Sequence, residues 1–590
     1  MNSIKLLLLL CVYTFNTHLY AQLQSTSLKD PDQAKNIVLN EVNFWSKYKD
    51  TINGGFYNEV SGTGNFKPTD IKSFAAQSRL AYAFTRGFML TGDIKYLKLA
   101  RHALKFIYIN AWDKVNGGWY YSANSDGSDP KNNMYHVGKW SYTQHYALLG
   151  CGAMNEATNG KYNFADGQDY DSTWLYKGLN EINTKLWDNR AGIEGYYDLA
   201  NQDWSAPQDK GFTPTADAMT THAALMATRN LDPSYKTRFL TLADRITDKI
   251  LPLSYSLSTS PLINEFSNAD WVPFGKELFN GHAVKCSWQL GRAYLLEPKE
   301  IYKSKAQQVL NEVLDRGYYD NTYGGIYYFQ KTGQKNAWTQ EQGILGGILN
   351  STITDDPILK VRYLKFADDC MKFVETHLID YKNGGSYTDV NTYGLVTTYP
   401  KGDYWESGYH MSEMAYYVYL YGNVYLYNKP VELYYYFSPQ EHAQSHKLTP
   451  FEIADNKLTI ESVTLNGLPY SNLNSNSRTL SIAAGEGGKF KVKFAPTIGI
   501  TTGDIAGISY VKESDLNVYP MPVTSDYLTI EGSLLTKGNN TIKITDLRSA
   551  VVYKNSFPAE NSFSVPVSQL KPGVYFLQIN EKIKKIIKAE

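Results

Sequence analysis

Three histidines, His222, His282 and His410, each open a helical, apolar-periodic stretch that follows an outer helix and a loop or hairpin. If those helices stand in one ring, the three imidazoles converge on one pocket. Imidazole has an unperturbed pKa of about 6.5, so it gives and takes protons at neutral pH. Two imidazoles on opposite walls could address opposite faces of a single carbon. The 48 tyrosines and 11 tryptophans are the compositional oddity of the chain. Flat amphipathic rings suit the faces of sugars, although core packing claims most aromatics in any protein.

The elements that must position these residues form an internal repeat. An Asp stands four residues before a Gly pair with aromatics in Asp50/Gly54-Gly55-Phe56-Tyr57 and Asp113/Gly117-Gly118-Trp119-Tyr120. The marker recurs as Asp320/Gly324-Gly325 with Tyr327 and Asp380/Gly384-Gly385 with Tyr387, and more loosely as Trp187-Asp188 before Gly195-Tyr196-Tyr197. The degenerate stretch Asn264 to Trp271 fills the remaining slot, which makes six units at roughly sixty-residue spacing. Each marker lies between helical periods, such as Leu97 to Ile109, and its glycines and aromatics suit a short hairpin. Neither helix of a unit buries its apolar face alone, so stacking completes the core. The expected fold is an all-α (α/α)6 barrel over residues 30–428.

At 590 residues the chain is long enough for a large core with appendages. Its 58 basic and 58 acidic residues balance, so nothing points to nucleic acid as a partner. Lys5, the apolar run Leu6 to Val12 and Leu19-Tyr20-Ala21 read as a secretory signal peptide over residues 1–21, too short for a permanent membrane span. The remaining cysteines, Cys151, Cys286 and Cys370, read as core residues rather than a disulfide framework. No metal-ligand spacing appears and no cofactor is implied.

The helical pattern stops near Tyr427. Alternating runs such as Lys457 to Ile460 and Lys489 to Phe494 then predict a small β-sandwich over 430–498. A Gly/Thr-rich joint leads to a second β module over 514–590. Its opening, Leu516-Asn517-Val518-Tyr519-Pro520-Met521-Pro522, its closing Pro572-Gly573-Val574-Tyr575-Phe576-Leu577-Gln578-Ile579 and its terminal lysines resemble the type A C-terminal sorting domain of the type IX secretion system. That resemblance implies secretion or attachment at the outer cell surface, with the type IX machinery as partner.

Several stretches of residues 30 to 425 resemble the N-acylglucosamine 2-epimerase superfamily, which includes cellobiose 2-epimerases and aldose–ketose isomerases. Gln77-Ser78-Arg79 in the first inner helix is similar to the segment where the family places an arginine at the sugar. Gly118-Trp119-Tyr120 with Asp126-Gly127 resembles its second hairpin. Asn280-Gly281-His282 with Trp288 resembles its Gly-His-x-x-Glu-x-x-Trp helix. Trp338-Thr339-Gln340 resembles Trp-x-Gln-x-Glu, Trp405 with Tyr409-His410 resembles Trp-x-x-Pro-Tyr-His, and His222 matches a further family histidine.

The resemblance implies cofactor-free proton transfer at C2 of a ring-opened mono- or oligosaccharide. His282 and His410 would be the acid/base pair, Arg79 the oxyanion stabiliser, and His222 an orienting or ring-opening group. Trp119, Tyr142, His145, Lys285, Trp338, Gln340, Glu341, Trp405 and Tyr409 would contact the sugar. Family glutamates are replaced by Leu225, Lys285 and Gln342, and a family arginine by Glu413. Lys285 near a base predicts either a preference for anionic sugars or a lowered His282 pKa. Two other classes compete. A polysaccharide lyase would use histidine, tyrosine, arginine and lysine, with Lys285 and Arg79 neutralising a uronate, and a hydrolase would draw on Asp217, Glu277, Glu341 or Glu406. A non-catalytic glycan-binding protein would keep only the aromatic platforms.

Overall fold

The structure is a computed structural model. It describes residues 23–497 except 69–70, 131–137, 161–170, 224–232, 252–261, 276–278, 332, 449 and 451. It also describes residues 517–589 except 521–522, 532–534, 536–538, 547–549 and 580–581. The expected signal peptide lies outside the described residues. Residues 21–498 form one compact unit, and the C-terminal module belongs to a second.

Among the described residues, twelve helices build the ring of the first unit. The outer ones are α1 (Ala34–Trp45), α3 (Ile94–Asn110), α5 (Asp171–Lys185), α7 (Pro233–Arg245), α9 (Glu300–Asp315) and α11 (Pro357–Phe373). The inner ones are α2 (Phe74–Thr91), α4 (Ser141–Thr158), α6 (Thr213–Asp217 continued by Met219–Ala223), α8 (Asn280–Leu296), α10 (Ala337–Ile353) and α12 (Tyr409–Tyr421). Each inner helix packs on the next, and α12 closes the ring against α1 and α2. The barrel is therefore an (α/α)6 barrel, as the repeat predicts. Inner helices such as α2, α4 and α10 are buried over nearly their whole length, because they meet neighbours on both sides and a core within.

The Asp–Gly–Gly marker has a structural cause. In the first, second, fifth and sixth units both glycines adopt positive φ, between 68° and 86°, which side chains rarely tolerate. The Asp side chain accepts hydrogen bonds from two backbone N–H groups inside the turn, as Asp113 does from Val115 and Asn116. It also pairs with a buried lysine ahead of the following inner helix. The pairs are Lys72–Asp50, Lys139–Asp113, Lys210–Asp188, Lys335–Asp320 and Lys401–Asp380, all between 2.6 and 2.9 Å. Each clamp fixes an inner helix to its own hairpin. Short antiparallel pairs then tie neighbouring units together, for instance Lys72–Ser73 with Ser122–Ala123 and Lys335–Asn336 with Asp389–Val390. The degenerate stretch after Asn264 does fill the missing slot: Phe266–Ser267 pairs with Lys210–Gly211.

Residues 431–496 form two small antiparallel sheets. In one, Val431–Phe437, Gly488–Pro496 and Leu458–Leu465 lie side by side. Leu433, Tyr435, Phe437, Phe490, Val492 and Phe494 point inward with the expected period of two. This module packs as part of the barrel unit, because Val431–Phe437 lies on α2 and α4. The C-terminal unit has sheets of three and four strands over a core that includes Leu528, Ile530, Ile542, Ile544, Val565 and Leu577. Cys151, Cys286 and Cys370 are buried in the core, as expected. No helix among the described residues is long and apolar enough to cross a membrane.

Candidate active site

His282 and His410 stand in the first turns of α8 and α12 and both lie near one indole. The Trp338 ring centre is 5.0 Å from that of His282 and 6.4 Å from that of His410. A close backbone approach makes this possible. A Cβ on Gly281 would lie 2.3 Å from the Trp338 ring, so only glycine fits there. The two imidazole side chains keep 20% and 12% of their surface open, unlike the sealed residues deeper in the ring.

Each imidazole is anchored through Nδ1 to a carboxylate. His410 Nδ1 lies 2.6 Å from Glu341 Oε2, and His282 Nδ1 contacts Glu265 Oε1. A carboxylate accepts only, so Nδ1 carries the hydrogen and Nε2 keeps its lone pair. Glu265 comes from the degenerate fourth slot, and His282 is also stacked on Phe212 at 3.8 Å. Burial, and then the positive charges of Arg79 and Lys285, push the His410 imidazole well below its ordinary pKa, so it is neutral at pH 7. A relay holds Glu341 in place: Trp288 Nε1 donates to Gln342 Oε1 at 2.6 Å, and Gln342 Nε2 donates to Glu341 Oε2 at 2.8 Å.

Arg79, on α2, is enclosed by tyrosines. Its guanidinium lies 4.1, 5.1 and 5.5 Å from the ring centres of Tyr146, Tyr409 and Tyr142, and it donates to the Trp405 carbonyl. Trp405 is 38% exposed and stands edge-on to Tyr121 and Tyr142, so it offers an open ring at the rim of this cage.

Other expected contacts take different places. Lys285 is buried and ion-paired with Asp217, with Tyr146 Oη 3.4 Å away. Burial works against its charge, but Asp217 and Tyr146 outweigh that and hold its pKa above the ordinary lysine value. Its charge is thus matched inside the protein, which removes the basis for expecting an anionic sugar. Gln340 is a latch rather than a sugar ligand: it accepts from Ile326 N–H and donates to Ile326 C=O, both at 2.8 Å. Gln77 and Gln144 do the same for Phe56 and Trp119. Trp119 is 1% exposed and packs with Trp112 and Trp174 toward α5, so it offers no platform. His145 turns toward Tyr196 and pairs with the Ser141 carbonyl, and burial lowers its pKa to about 4. His222 lies in α6, but its side chain, like Leu225 and Glu277, is outside the described residues.

Glu265 and Asp198 escaped the sequence reading. The Asp198 carboxyl, buried and facing Asp209 and Asp217, is pushed up to about 7. Neither lies in a motif; the only signal for Glu265 was its position in the irregular slot. Glu341, His410 and Glu413 bring one ligand atom each within 4.8 Å of one another, and are the described residues able to hold a metal ion.

A ring of inner helices holding paired histidines over an aromatic, arginine-containing pocket defines an (α/α)6 carbohydrate-active barrel. The profile of the N-acylglucosamine 2-epimerase (GlcNAc 2-epimerase) family matches residues 54–413, and the chain belongs to this family. A secretion system C-terminal sorting domain matches residues 517–589, which marks the chain for secretion or the cell surface. Cellobiose 2-epimerase of Bacteroides fragilis is 23% identical over 65% of this chain and 97% of its own length. That of Dictyoglomus turgidum is 21% identical over 63% and 94%. The solved cellobiose 2-epimerase of Spirochaeta thermophila shares the fold, with a TM-score of 0.56 and 21% identity over 68% of this chain and 98% of that one. A D-mannose isomerase structure also has a TM-score of 0.56, at 18% identity over 66% and 98%.

Proposed function

We propose that this protein is a secreted sugar 2-epimerase or aldose–ketose isomerase that works through His282 and His410. The observation that carries this reading is the pair of carboxylate-anchored imidazoles, Glu265–His282 and Glu341–His410, gathered near Trp338.

After the sugar ring opens, neutral His410 removes the C2 proton through Nε2. The C–H electron pair becomes the C1–C2 double bond, and the carbonyl π electrons move onto O1. Arg79, the nearby fixed cation, stabilises that enediolate oxygen. A proton delivered to C2 from the His282 side, through Nε2 and drawn from solvent, gives the epimer; a proton returned to C1, with the O2–H proton passing to O1, gives the ketose. Exchange with solvent then resets the two imidazoles. Trp405 offers a stacking surface for a second sugar unit at the rim. Among the described residues, Asp217 and Glu341 are engaged by Lys285 and His410, which weighs against their use as the free acid pair of a hydrolase.

The test is proton NMR in D2O with cellobiose, mannose, glucose and uronates. Deuterium at C2 with a new epimer or ketose supports the reading. An alkene signal, or new reducing ends without C2 exchange, would overturn it.

A further inference from the structure

Glu406 follows Trp405 in a turn that is pinned from several sides. Asp403 accepts hydrogen bonds from the Trp405 and Glu406 N–H groups, both at 2.7 Å. Arg79 on α2 donates to the Trp405 carbonyl, and Ser407 Oγ donates to the Ala76 carbonyl of the same helix at 3.1 Å. The turn therefore holds two neighbouring side chains in fixed places. Trp405 offers its open ring at the rim. Glu406 reaches to the start of α10, where its Oε1 accepts from Asn336 Nδ2 at 3.3 Å. Asn336 caps that helix by accepting from the Trp338 N–H at 3.0 Å, so Glu406 is joined to the helix start that carries the indole near both histidines. Tyr328, whose ring centre is 6.0 Å from that of Trp338, lies within electrostatic reach of both Glu406 and Glu265, the anchor of His282. The Glu406 carboxyl is half-buried, and its second oxygen, Oε2, meets no donor among the described residues. Its acidic neighbours are engaged elsewhere: Asp389 by Gln334, Asn336 and Thr388, and Asp403 by the turn itself.

We propose that Glu406 is a specificity-determining residue for a second sugar unit: with that unit stacked on Trp405, Glu406 Oε2 hydrogen-bonds one of its hydroxyls and so selects disaccharides over monosaccharides. This rests on the reading of the pocket as a sugar site with its reacting unit at His282 and His410, and deepens it. Stacking alone discriminates poorly, because any pyranose has an apolar face to lay on an indole. A partly desolvated polar group discriminates well, because a ligand without the matching hydroxyl leaves it unpaired. Burial, and then Asp403 and Asp389, push the Glu406 carboxyl well above the usual carboxylate range, while Asn336 and Arg79 oppose this. A neutral acid both donates and accepts, as a sugar hydroxyl does. It needs no counter-cation, so the unit it selects is a neutral sugar rather than an ammonium sugar.

The test measures binding by calorimetry in the full chain carrying His282→Gln, so that conversion does not obscure the heat of binding. Each disaccharide is compared with the monosaccharide of its reducing end: cellobiose and lactose with glucose, β-1,4-mannobiose with mannose. At least one disaccharide should bind more tightly than its monosaccharide, and Glu406→Ala should cut that ratio by about tenfold, as expected for one hydrogen bond to a partly buried group. Glu406→Gln keeps an acceptor and a donor and should hold the ratio within about threefold of the parent. Glu406→Leu, which fills the side-chain volume, gives the same reading as alanine if Glu406→Ala lowers Tm. An unchanged ratio in an alanine or leucine variant of parent Tm overturns the proposal, and so does a panel in which no disaccharide outbinds its monosaccharide. A loss in Glu406→Gln equal to that in Glu406→Ala also overturns it, because it would assign the contact to charge. These outcomes stand apart from the proton-exchange test. A flat ratio with C2 exchange intact removes only the role of Glu406, and a ratio as expected without C2 exchange removes only the epimerase reading.

Discussion

Replacing Glu265 by glutamine separates two roles that the carboxylate combines at His282. Glutamine can still meet Nδ1, but it is neutral and no longer forces the hydrogen onto that nitrogen. Turnover by Glu265→Gln should fall about 10²-fold or more, within the range of a positioned acid/base group, while KM changes little. His282→Gln and His410→Gln should remove turnover with Tm near the parent, because both side chains keep part of their surface open rather than being sealed in the core. A fully active Glu265→Gln would remove the anchored-imidazole reading. His282, His410 and Arg79 could be singled out in the sequence because they sit in motifs at repeating positions. Glu265 was not, since a loop residue becomes a histidine partner only once Lys210–Gly211 and Phe266–Ser267 pair and bring it over α8. The pairing of Lys285 was hidden for the same reason: its partner Asp217 is 68 residues away, and only the fold brings the two together.

At the scale of elements, each hairpin and inner helix depends on its Asp–lysine clamp. Asp113→Ala would leave Lys139 charged, buried and unpaired, and would free two backbone N–H groups of the turn. Breaking a buried pair from one side costs about 3–5 kcal/mol, so a clear drop in Tm is expected, whereas the double change Asp113→Ala/Lys139→Met should recover part of it. A Tm within a degree of the parent would show that the clamp is idle. The acid side of the stability curve follows from the same groups. Asp50 is drawn down to about 2: burial opposes this, but the Lys72 and backbone hydrogen bonds outweigh it. Its contribution is therefore present above the ordinary carboxylate range and lost as pH falls toward 2. His145, lowered to about 4, acts in a higher window: the unfolded imidazole takes its proton near 6.5 and the folded one does not, so stability declines as pH falls from about 6.5 to 4. Urea unfolding at several pH values should show a shallower decline in that window for His145→Gln. The repeat and the hairpins were readable from Asp–Gly–Gly spacing alone. The lysines were not, because each lies 15 to 26 residues beyond its aspartate and only the shared turn geometry reveals the pairing.

For the whole molecule, the question is where the catalytic unit ends. Composition changes near Tyr427, and the sequence places a boundary there between barrel and sandwich. The packing places the compact unit's end near residue 498. The reason is a charge network that spans the change in composition. Arg86 on α2 is fully buried; it pairs with Glu156 on α4 and, at 3.0 Å, with Glu452 of the β-sandwich. Lys489 Nζ also donates to the Gly92 carbonyl, which caps the end of α2, and Tyr434 lies against the same glycine. Removing residues 429–590 would strip Arg86 of one carboxylate and uncover the faces of α2 and α4 that Val431–Phe437 covers. Removing residues 499–590 would touch none of these contacts. Two truncations therefore give opposite expectations. A chain ending at residue 498 should keep the Tm and turnover of the full protein. One ending at residue 428 should lose several kcal/mol of stability and expose apolar surface, read as a lower Tm and dye binding. Glu452→Gln in the full chain gives the graded version, with a smaller loss because Glu156 remains. Equal stability of the two truncations would mean that the sandwich is a passenger on the barrel; a loss confined to the shorter one would make it part of the enzyme's core.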